Sequence, residues 1–390
     1  MIQRDLEPHL KQAVKKFPLV GIVGPRQSGK TTLAKAVFPA YEYISLEDLD
    51  NRLFATDDPR GFLATYSRPT IFDEIQKVPQ LFSYLQTHVD EVQTSGQYIL
   101  TGSQHFLLHE KISQTLAGRI ALFTLLPLTT SELQAARITC DTYEEYMFHG
   151  MYPRLYEHAV KPTDWYPSYI QTYIERDIRD LKQVGNLSTF QTFVKLCAGR
   201  IGQLLNLSSL ARDCGITHNT AKAWISLLET SFILFLLRPY YENFGKRLVK
   251  MPKLYFYDTG LACSLLGLQH SQEITTHYLK GGLFENFVIS EYIKQKYHQQ
   301  QPVDYYFWPD KTGHEIDLLG VKAATLFTTE IKAGKTITPD YFSDSVYFSK
   351  IQKSQKNLVQ YIVYGGDVTK RQKNTIVLGK NSFLHSQPKT

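Results

Sequence analysis

The stretch from Leu19 to Leu33 reads LVGIVGPRQSGKTTL, and it decides the fold of the first part of the chain. An apolar run typical of a β-strand leads into a loop of the form GxxxxGKT, and a helical pattern follows the loop. Gly24 and Gly29 permit backbone angles that aim N–H groups at phosphate oxygens, and the helix N-terminus adds positive potential. This order predicts an α/β domain with a parallel sheet and a phosphate-binding loop of the Walker A type.

The loop residues are candidates for binding a nucleotide and its metal ion. The Lys30 ammonium is placed to reach the β and γ phosphates of ATP. The Thr31 hydroxyl is placed to ligate Mg²⁺, which prefers oxygen ligands. We therefore predict nucleotide contacts from the whole loop and the threonine after it: Gly24, Pro25, Arg26, Gln27, Ser28, Gly29, Lys30, Thr31 and Thr32.

A second acidic strand end follows in the segment PTIFDE, residues 69–74. We predict that Asp73 binds the nucleotide-bound Mg²⁺ through its water shell, and that Glu74 polarises the water that attacks the γ-phosphate. Lys30 and Glu74 are then the catalytic residues of this site. The alternative is a short strand that ends in two solvated acids, but the complete phosphate-binding loop upstream favours the hydrolytic interpretation.

Small hydroxyl residues end the next predicted strand, at residues 97–101. In a parallel sheet this strand end lies beside the Asp73 strand. Thr101 or Ser103 would then sense the γ-phosphate or the attacking water, and Ser103 joins the nucleotide-binding candidates. A plain turn from strand to loop explains the same residues equally well.

Arg119 precedes a further apolar strand, residues 120–125, and has two interpretations. As a catalytic residue it would be an arginine finger that stabilises transition-state charge, in cis or from a neighbouring copy of the chain. As a structural residue it would form an ion pair. Arg26, inside the loop, is a rival for the finger role.

These motifs, in this order, resemble the AAA-type (AAA+) P-loop ATPases of bacteria and archaea that carry a C-terminal domain of unknown function. The resemblance covers nearly the whole chain. It implies an AAA+-like ATP-binding domain, a helical winged-helix-like middle region and a C-terminal α/β restriction-endonuclease-like domain. The matching segments are GPRQSGKTTL, FDEIQ at 72–76, LTGSQ at 100–104, LAGR at 116–119, PL with Glu132, YIERD at 173–177, KRLVKMPKLYFYDTGLA at 246–262 and LFENFV at 283–288.

We predict three domains, at residues 1–130, 131–268 and 269–390. In the middle one, residues 207–229 have the spacing of a helix-turn-helix, and a basic segment follows. A DNA-binding interpretation places His218, Asn219 and Lys222 at the groove and the four cations of the basic segment on phosphates. The alternative is a packing platform inside a larger ATPase. The four cations are Lys246, Arg247, Lys250 and Lys253.

The last domain contains a possible second chemical site. Glu330 and Lys332 are two residues apart on a predicted strand, so both side chains leave the same face, and Asp317 lies on the strand before. With Glu285 on a predicted helix, these residues have the E…D…ExK order of restriction-endonuclease-like nucleases. Glu285, Asp317 and Glu330 would hold Mg²⁺ or Mn²⁺, and Lys332 would be catalytic by orienting or deprotonating water. The alternatives are a hairpin with a solvated acid–base pair, or an inactive nuclease-like fold that only binds.

Composition limits the remaining options. With 43% hydrophobic and 21% charged residues among 390, the chain is neither disordered nor fibrous as a whole. Its net charge of +6 is small, and the stretch 370–390, which lacks acids, contributes part of it as a basic tail. Four scattered cysteines and no long apolar run favour a cytoplasmic protein without a membrane partner.

We therefore expect an ATP- and Mg²⁺-dependent ATPase that is coupled to DNA or RNA. A second Mg²⁺ or Mn²⁺ would lie in the C-terminal domain, and other copies of the chain would be partners if the arginine finger acts in trans. The alternative is a nucleotide-dependent switch or scaffold, in which an inactive nuclease-like domain binds a protein partner.

Overall fold

The phosphate-binding loop directly follows an inner strand of a parallel sheet. The computed structural model describes residues 1–103, 116–178, 186–241, 250–352, 357–372 and 374–385. Within these ranges the sheet has the order β2-β3-β4-β1-β5, and every neighbouring pair is parallel, as predicted. Its strands are β1 (Leu19–Val23), β2 (Glu42–Ser45), β3 (Thr70–Asp73), β4 (Tyr98–Gly102) and β5 (Ile120–Thr124).

Strand β1 is buried on both faces, which explains its continuous apolar sequence. Leu19 and Val23 join one core cluster, and Val20 and Ile22 join the cluster on the other face. Helices cover both faces. Those of this first part are α1 (Glu7–Ala13), α2 (Lys30–Val37), α3 (Leu49–Asp57), α4 (Pro59–Thr65) and α5 (Leu81–Val92).

The middle of the chain is mainly helical and ends in a small antiparallel sheet. Gly215, with a φ of 66°, forms the turn between α11 and α12, and Asn206 and Thr217 cap the two helices. The order of helix, short turn and helix predicted for residues 207–229 is therefore present. The elements are α6 (Thr130–Ala135), α7 (Tyr143–His149), α8 (Pro153–Glu157), α9 (Pro162–Tyr169), a π-helical segment (Ile170–Ile178), α10 (Leu187–Ala198), α11 (Leu207–Cys214), α12 (His218–Thr230), β6 (Leu234–Leu237) and β7 (Lys253–Phe256).

The last part is built on a mixed sheet, whose described strands have the order β12-β13-β11-β10-β9-β8. Part of the predicted basic tail is folded, because residues 370–372 and 374–385 contain two strands and a helix. Residues 373 and 386–390 of that stretch lie outside the described residues. The elements are α13 (Thr259–Leu265), α14 (Lys280–His298), β8 (Tyr305–Pro309), β9 (Glu315–Lys322), β10 (Thr325–Lys332), α15 (Ser343–Ile351), β11 (Asn357–Tyr364), β12 (Lys370–Gln372), β13 (Thr375–Leu378) and α16 (Lys380–His385).

Helix α14 connects the last part to the rest of the chain. It contacts β10 of the second sheet, β5 of the first sheet and β7 of the small sheet. Most of its residues are buried, including Phe284, Val288 and Ile293, and buried apolar residues from all three parts form one continuous cluster. Among the helices of the described ranges, none combines the length and the apolar character needed to cross a membrane.

Candidate functional site

The phosphate-binding loop has a backbone that requires its two glycines. Gly24 has a φ of 152°, and a Cβ atom there would lie 2.1 Å from the carbonyl oxygen of Leu125. Gly29 has a φ of 94° at the start of α2, in the left-handed region that other residues rarely adopt. The conformation thus explains why both positions are glycine in the motif.

Lys30 folds back onto this loop. Its ammonium donates to the carbonyl oxygens of Gly24 (3.1 Å) and Pro25 (2.8 Å), and the residue is 5% exposed. Burial lowers the pKa of Lys30 to about 8, although the nearby Glu74 and Asp73 carboxylates act in the opposite direction. The ammonium is therefore charged at neutral pH and lies at the loop, as its predicted role requires.

Thr31 and Asp73 meet beside the loop. The Thr31 hydroxyl lies 2.9 Å from Asp73 Oδ1 and 3.1 Å from Oδ2. Two further hydroxyls donate to the same carboxylate, those of Tyr43 (2.8 Å) and Thr101. A threonine hydroxyl and a carboxylate in contact are the hard oxygen donors that Mg²⁺ prefers.

Glu74 has a left-handed conformation, with a φ of 57°. The Gln76 amide donates to its carboxylate, and the Ser103 hydroxyl donates to the same oxygen, Oε2, at 3.0 Å. Ser103 therefore contacts the proposed catalytic glutamate, while Thr101 contacts Asp73. These contacts agree with the prediction that the end of β4 lies beside the Asp73 strand.

The other loop residues contact the helical middle region. The Trp165 indole donates to Gln27 Oε1 (3.1 Å), and the Tyr169 hydroxyl donates to the Arg26 carbonyl (3.5 Å). The Arg26 guanidinium lies 3.5 Å from Glu47 and over the ring of Tyr173. Aromatic side chains of the middle region thus contact Arg26 and Gln27 of the loop.

The residues present fit a nucleoside phosphate with Mg²⁺. The Ser28 hydroxyl is buried in the loop and has no hydrogen-bond partner among the residues that the structure describes, which leaves a donor for a phosphate oxygen. Pro25 is buried, and Thr32 is exposed on the first turn of α2. The buried ammonium of Lys30 and the contact of Thr31 with Asp73 complete a donor set suited to this ligand.

Arg119 does not reach this site within the same chain, which corrects the prediction of a finger in cis. It lies just before Ile120, which pairs with Leu19, at the amino end of the strands. The phosphate-binding loop follows the carboxyl end of β1. The guanidinium makes a bidentate contact with Asp90 of α5, at 2.5 and 2.8 Å, so the ion-pair interpretation is correct for the single chain.

Two residues of this site were missed by sequence reasoning. Tyr43 contacts Asp73 because β2 and β3 are neighbours, and the alternation of residues 42–45 alone does not reveal that pairing. Gln76 lies in the FDEIQ segment, two residues after Glu74 and on a short turn. This spacing was the sequence signal that could have placed the Gln76 amide beside the Glu74 carboxylate. Both residues fix the direction of an acidic side chain.

The C-terminal candidates Asp317, Glu330 and Lys332 come together on β9 and β10. Lys332 Nζ lies 3.0 Å from Glu330 Oε2 and 3.8 Å from Asp317 Oδ2. Glu330 is fully buried, and its burial, with the Asp317 charge, raises its pKa well above the ordinary value. The backbone N–H of Ile331 donates to Asp317 (2.7 Å), which holds that carboxylate toward β10. Asp310, in the turn after β8, instead accepts from the hydroxyls of Thr312 and Tyr347.

Glu285 has a different partner from the one predicted. Its carboxylate accepts from the Tyr255 hydroxyl (2.5 Å) and lies 3.1 Å from the ammonium of Lys253, which also pairs with Glu315. Burial and then the Asp317 charge raise the pKa of Glu285 to about 7. Lys253, which was expected to contact DNA phosphates, is instead 5% exposed and ion-paired to these acids.

The predicted metal centre is therefore not assembled in this arrangement. In the part of the chain that the structure describes, no three His, Cys, Asp or Glu side chains are positioned to hold one metal ion. The physical reason is that two lysines, Lys253 and Lys332, neutralise the carboxylates that would otherwise need a divalent cation. Burial and then the Asp317 charge raise the pKa of both Glu285 and Glu330, but the three carboxylates do not form a ligand set.

The predicted nucleic-acid face is only partly described. His218, Asn219 and Lys222 are exposed on α12, and Lys250 is exposed before β7. Lys246 and Arg247 lie outside the described residues. The exposed side chains are compatible with a groove contact, whereas Lys253 is not available for one.

Comparison with protein families divides the chain into three matched stretches. Residues 16–134 match a model described as an AAA domain. Residues 140–272 and 280–382 match two models described as domains of unknown function, DUF8612 and DUF4143. The first match agrees with the loop geometry, and the two together support an AAA-type P-loop domain over residues 16–134. The C-terminal match gives no activity, and the nuclease-like fold stays a prediction.

Two proteins that are similar to most of this chain are the uncharacterized proteins Rv2008c of Mycobacterium tuberculosis and Mb2031c of Mycobacterium bovis. Each is 29% identical over 340 residues, which cover 86% of this chain and 75% of the relative. Similar solved structures include the Walker-type ATPase PABY2304 of Pyrococcus abyssi, with a TM-score of 0.45, 15% identity and coverage of 68% of this chain and 96% of that one. The RuvB Holliday junction branch migration motor of Thermotoga maritima has a TM-score of 0.31, 17% identity and coverage of 59% and 88%. These TM-scores are too low to establish a shared fold.

Proposed function

We propose that this chain is a Mg²⁺-dependent ATPase whose nucleotide cycle is coupled to nucleic-acid binding or processing by its C-terminal domain. The observation that carries the ATPase part is the contact of Thr31 with Asp73, 2.9 Å apart, beside a complete phosphate-binding loop. A loop of this kind, a hydroxyl–carboxylate pair and an adjacent glutamate are the parts that phosphoryl transfer to water requires.

In this proposal each residue has a defined task. The Lys30 ammonium would leave the Gly24 and Pro25 carbonyls and donate to the β and γ phosphates. The Ser28 hydroxyl would donate to a phosphate oxygen. Thr31 and Asp73 bind Mg²⁺, which shields the phosphate charge when bound. Glu74, oriented by Gln76 and Ser103, accepts a proton from the attacking water. Most of the rate enhancement then comes from positioning and charge.

Two substitutions test the ATPase. Lys30→Ala should abolish ATP binding because the phosphates lose their buried counter-charge. Glu74→Gln should keep binding and lose turnover, and Glu91→Gln, an exposed acid on α5, is the matched control. Hydrolysis by Glu74→Gln at the parental rate would show that the assignment of the catalytic glutamate is wrong.

The middle region supports a nucleic-acid partner through the exposed side chains of α12. In a winged-helix-like arrangement, His218, Asn219 and Lys222 would face the groove, and phosphate contacts would make binding sensitive to salt. Affinity for duplex DNA, measured over a salt series, should weaken for Lys222→Ala with a smaller salt slope. An unchanged affinity would remove α12 from the interface.

For the C-terminal domain, the proposed chemistry is metal-dependent nuclease activity at Asp317, Glu330 and Lys332, without Glu285, whose carboxylate is paired with Lys253. The test is incubation with single- and double-stranded DNA and RNA in Mg²⁺ or Mn²⁺. Cleavage that depends on Glu330 and Lys332 would support a nuclease, whereas cleavage that survives Glu330→Ala and Lys332→Ala would refute this centre.

A second candidate function is favoured by the ion pair of Lys253 with Glu285. Because Lys253 already neutralises Glu285, a metal ion is not needed there. This supports a nucleotide-dependent switch or scaffold, whose inactive nuclease-like domain binds a protein partner. Such a switch would bind ATP with slow turnover, would take up no metal at Asp317 and Glu330, and would show no salt-dependent affinity for DNA. Arg119 would complete the ATPase site in either case only from a neighbouring copy of the chain.

A further inference from the structure

Arg4 is a buried cation at the edge of the phosphate-binding loop. The residue is 4% exposed, and its guanidinium donates in three directions. Nη1 donates to the carbonyl oxygen of Ser28 (2.8 Å), Nη2 to that of Leu126 (2.6 Å), and Nε to Glu132 Oε1 (3.0 Å). The guanidinium directs N–H groups from three different nitrogens toward these acceptors, whereas the three N–H donors of a lysine ammonium all start from one atom and do not match that geometry.

The contact with Ser28 determines the direction of a neighbouring donor. The carbonyl of Ser28 and the N–H of Gly29 belong to one peptide group, and they point in opposite directions because that group is trans. Since Arg4 holds the carbonyl, the Gly29 N–H is turned away from Arg4, at the N-terminus of α2. This N–H is one of the loop donors predicted to face phosphate.

The other two contacts of Arg4 lead to the segment 126–132, which follows β5. Glu132 also accepts from the N–H groups of Asp5 (2.8 Å) and Thr129 (2.9 Å). Although burial opposes it, the charge of Arg4 keeps the pKa of Glu132 below its usual value. Through Arg4 and Asp5, this segment is therefore connected to the N-terminal residues and to the loop.

Helix α14 of the C-terminal part holds the same segment. Glu291 accepts from the N–H and the hydroxyl of Thr130, both at 2.7 Å, and Lys294 donates to the Leu128 carbonyl (2.8 Å). His298 Nδ1 lies 3.5 Å from Glu132 Oε1. Glu285 is on this same helix, about 20 Å along the axis from His298 at 1.5 Å per residue. The same helix thus contacts residues 128–132 and carries Glu285 of the C-terminal acids.

We propose that Arg4 is a positioning residue for the phosphate-binding loop and that, through Glu132, it links the state of that loop to helix α14. The inference rests on the proposed function in so far as the loop must bind ATP or ADP. It goes further by naming the residue that orients Gly29 and the route by which a bound phosphate affects the C-terminal part.

The first experiment compares Arg4→Lys with the unmodified full chain by titration of a fluorescent ADP analogue with Mg²⁺, together with thermal unfolding. Arg4→Lys keeps the charge and loses the fork, so the affinity should fall about tenfold. The control is Arg200→Lys, which breaks similar contacts of a guanidinium with Asp213 and a carbonyl in the middle region. The control should lower the melting temperature without changing the affinity.

An affinity of Arg4→Lys within about twofold of the unmodified protein would overturn the positioning role. Absence of ADP and ATP binding by the unmodified protein would instead overturn the proposed function, so the two failures are distinguishable. If Arg4→Lys does not fold, hydrogen exchange of the unmodified protein tests the link between the loop and helix α14. Added ADP with Mg²⁺ should slow exchange in residues 126–132 and 287–298, and not in β12 and β13. Unchanged exchange in both segments would overturn the link.

Discussion

The hydroxyl of Tyr43 donates a hydrogen bond of 2.8 Å to Asp73 Oδ2, the oxygen that also lies 3.1 Å from the Thr31 hydroxyl. Burial and then the Asp73 carboxylate raise the pKa of Tyr43 to about 12, so the phenol stays protonated and remains a donor at neutral pH. A tyrosine on β2 therefore fixes the orientation of the acid that is proposed to bind Mg²⁺ on β3.

Removal of this hydroxyl should weaken the metal site without unfolding the protein. In Tyr43→Phe, Asp73 loses one of its three hydroxyl donors, and the Mg²⁺ concentration needed for half-maximal ATPase activity should rise about threefold to tenfold. The measurement is a Mg²⁺ titration of activity at saturating ATP. Tyr41→Phe is the matched control, because its hydroxyl donates over the same 2.8 Å to the Gly96 carbonyl, away from the site. Equal Mg²⁺ requirements in both variants would contradict this role.

The pKa of Lys30 predicts a pH dependence of nucleotide binding. Since that pKa is about 8 before a nucleotide binds, the ammonium loses its proton as the pH rises through 8. Affinity for ADP should therefore be nearly constant below pH 7 and roughly tenfold weaker at pH 9. Lys30→Arg keeps its charge over this range, so its weaker binding should not change with pH. A flat profile for the unmodified protein would show that Lys30 is not perturbed in this way.

His298 predicts the pH dependence of stability. Burial lowers its pKa from 6.5 to about 4, so its ring is neutral at pH 7. Between these values the unfolded chain binds a proton that the folded chain does not, so this contribution to stability is lost as the pH falls from 6.5 toward 4. The loss should be roughly 2 kcal/mol between pH 7 and pH 5. Denaturant unfolding at pH 7 and at pH 5 should show this loss of stability in the unmodified protein and not in His298→Gln. The exposed His270, replaced by Gln, is the control. A His298→Gln variant with the parental pH dependence would contradict the assignment.

The sequence was informative wherever function depends on adjacent residues. The phosphate-binding loop, Asp73 with Glu74, and Glu330 with Lys332 each lie within one motif, where strand alternation or loop geometry determines which side chains meet. Contacts that depend on strand order or on distant segments could not be predicted. Arg4 meets Glu132 across 128 residues, and the turn of Arg119 toward Asp90 depends on where α5 packs.

The cluster of positive charges in the sequence led to a wrong prediction for Lys253, and the reason is physical. Lys253 follows three other cations in sequence, and such a cluster is typical of a solvated, phosphate-binding face. It lies on β7, however, which packs against α14, and there the Glu285 and Glu315 carboxylates supply the opposite charge. Although burial lowers it, these acids and Asp317 raise the pKa of Lys253 above its usual value. Burial of this lysine is stable only because several carboxylates surround it.

This arrangement predicts that Lys253 takes the place of a divalent cation. In Lys253→Met, Glu285 and Glu315 lose a buried counter-charge, which should cost about 3 to 5 kcal/mol of stability without metal. Added Mn²⁺ should then raise the melting temperature of this variant more than that of the unmodified protein, both carrying Asp73→Asn so that the first site does not contribute. Lys335→Met is the control, since that lysine is 63% exposed and 3.8 Å from Glu144. If Mn²⁺ stabilises the protein as strongly with Lys253 in place, and Asp317→Asn removes the effect, the C-terminal site binds metal beside the lysine and the replacement is refuted.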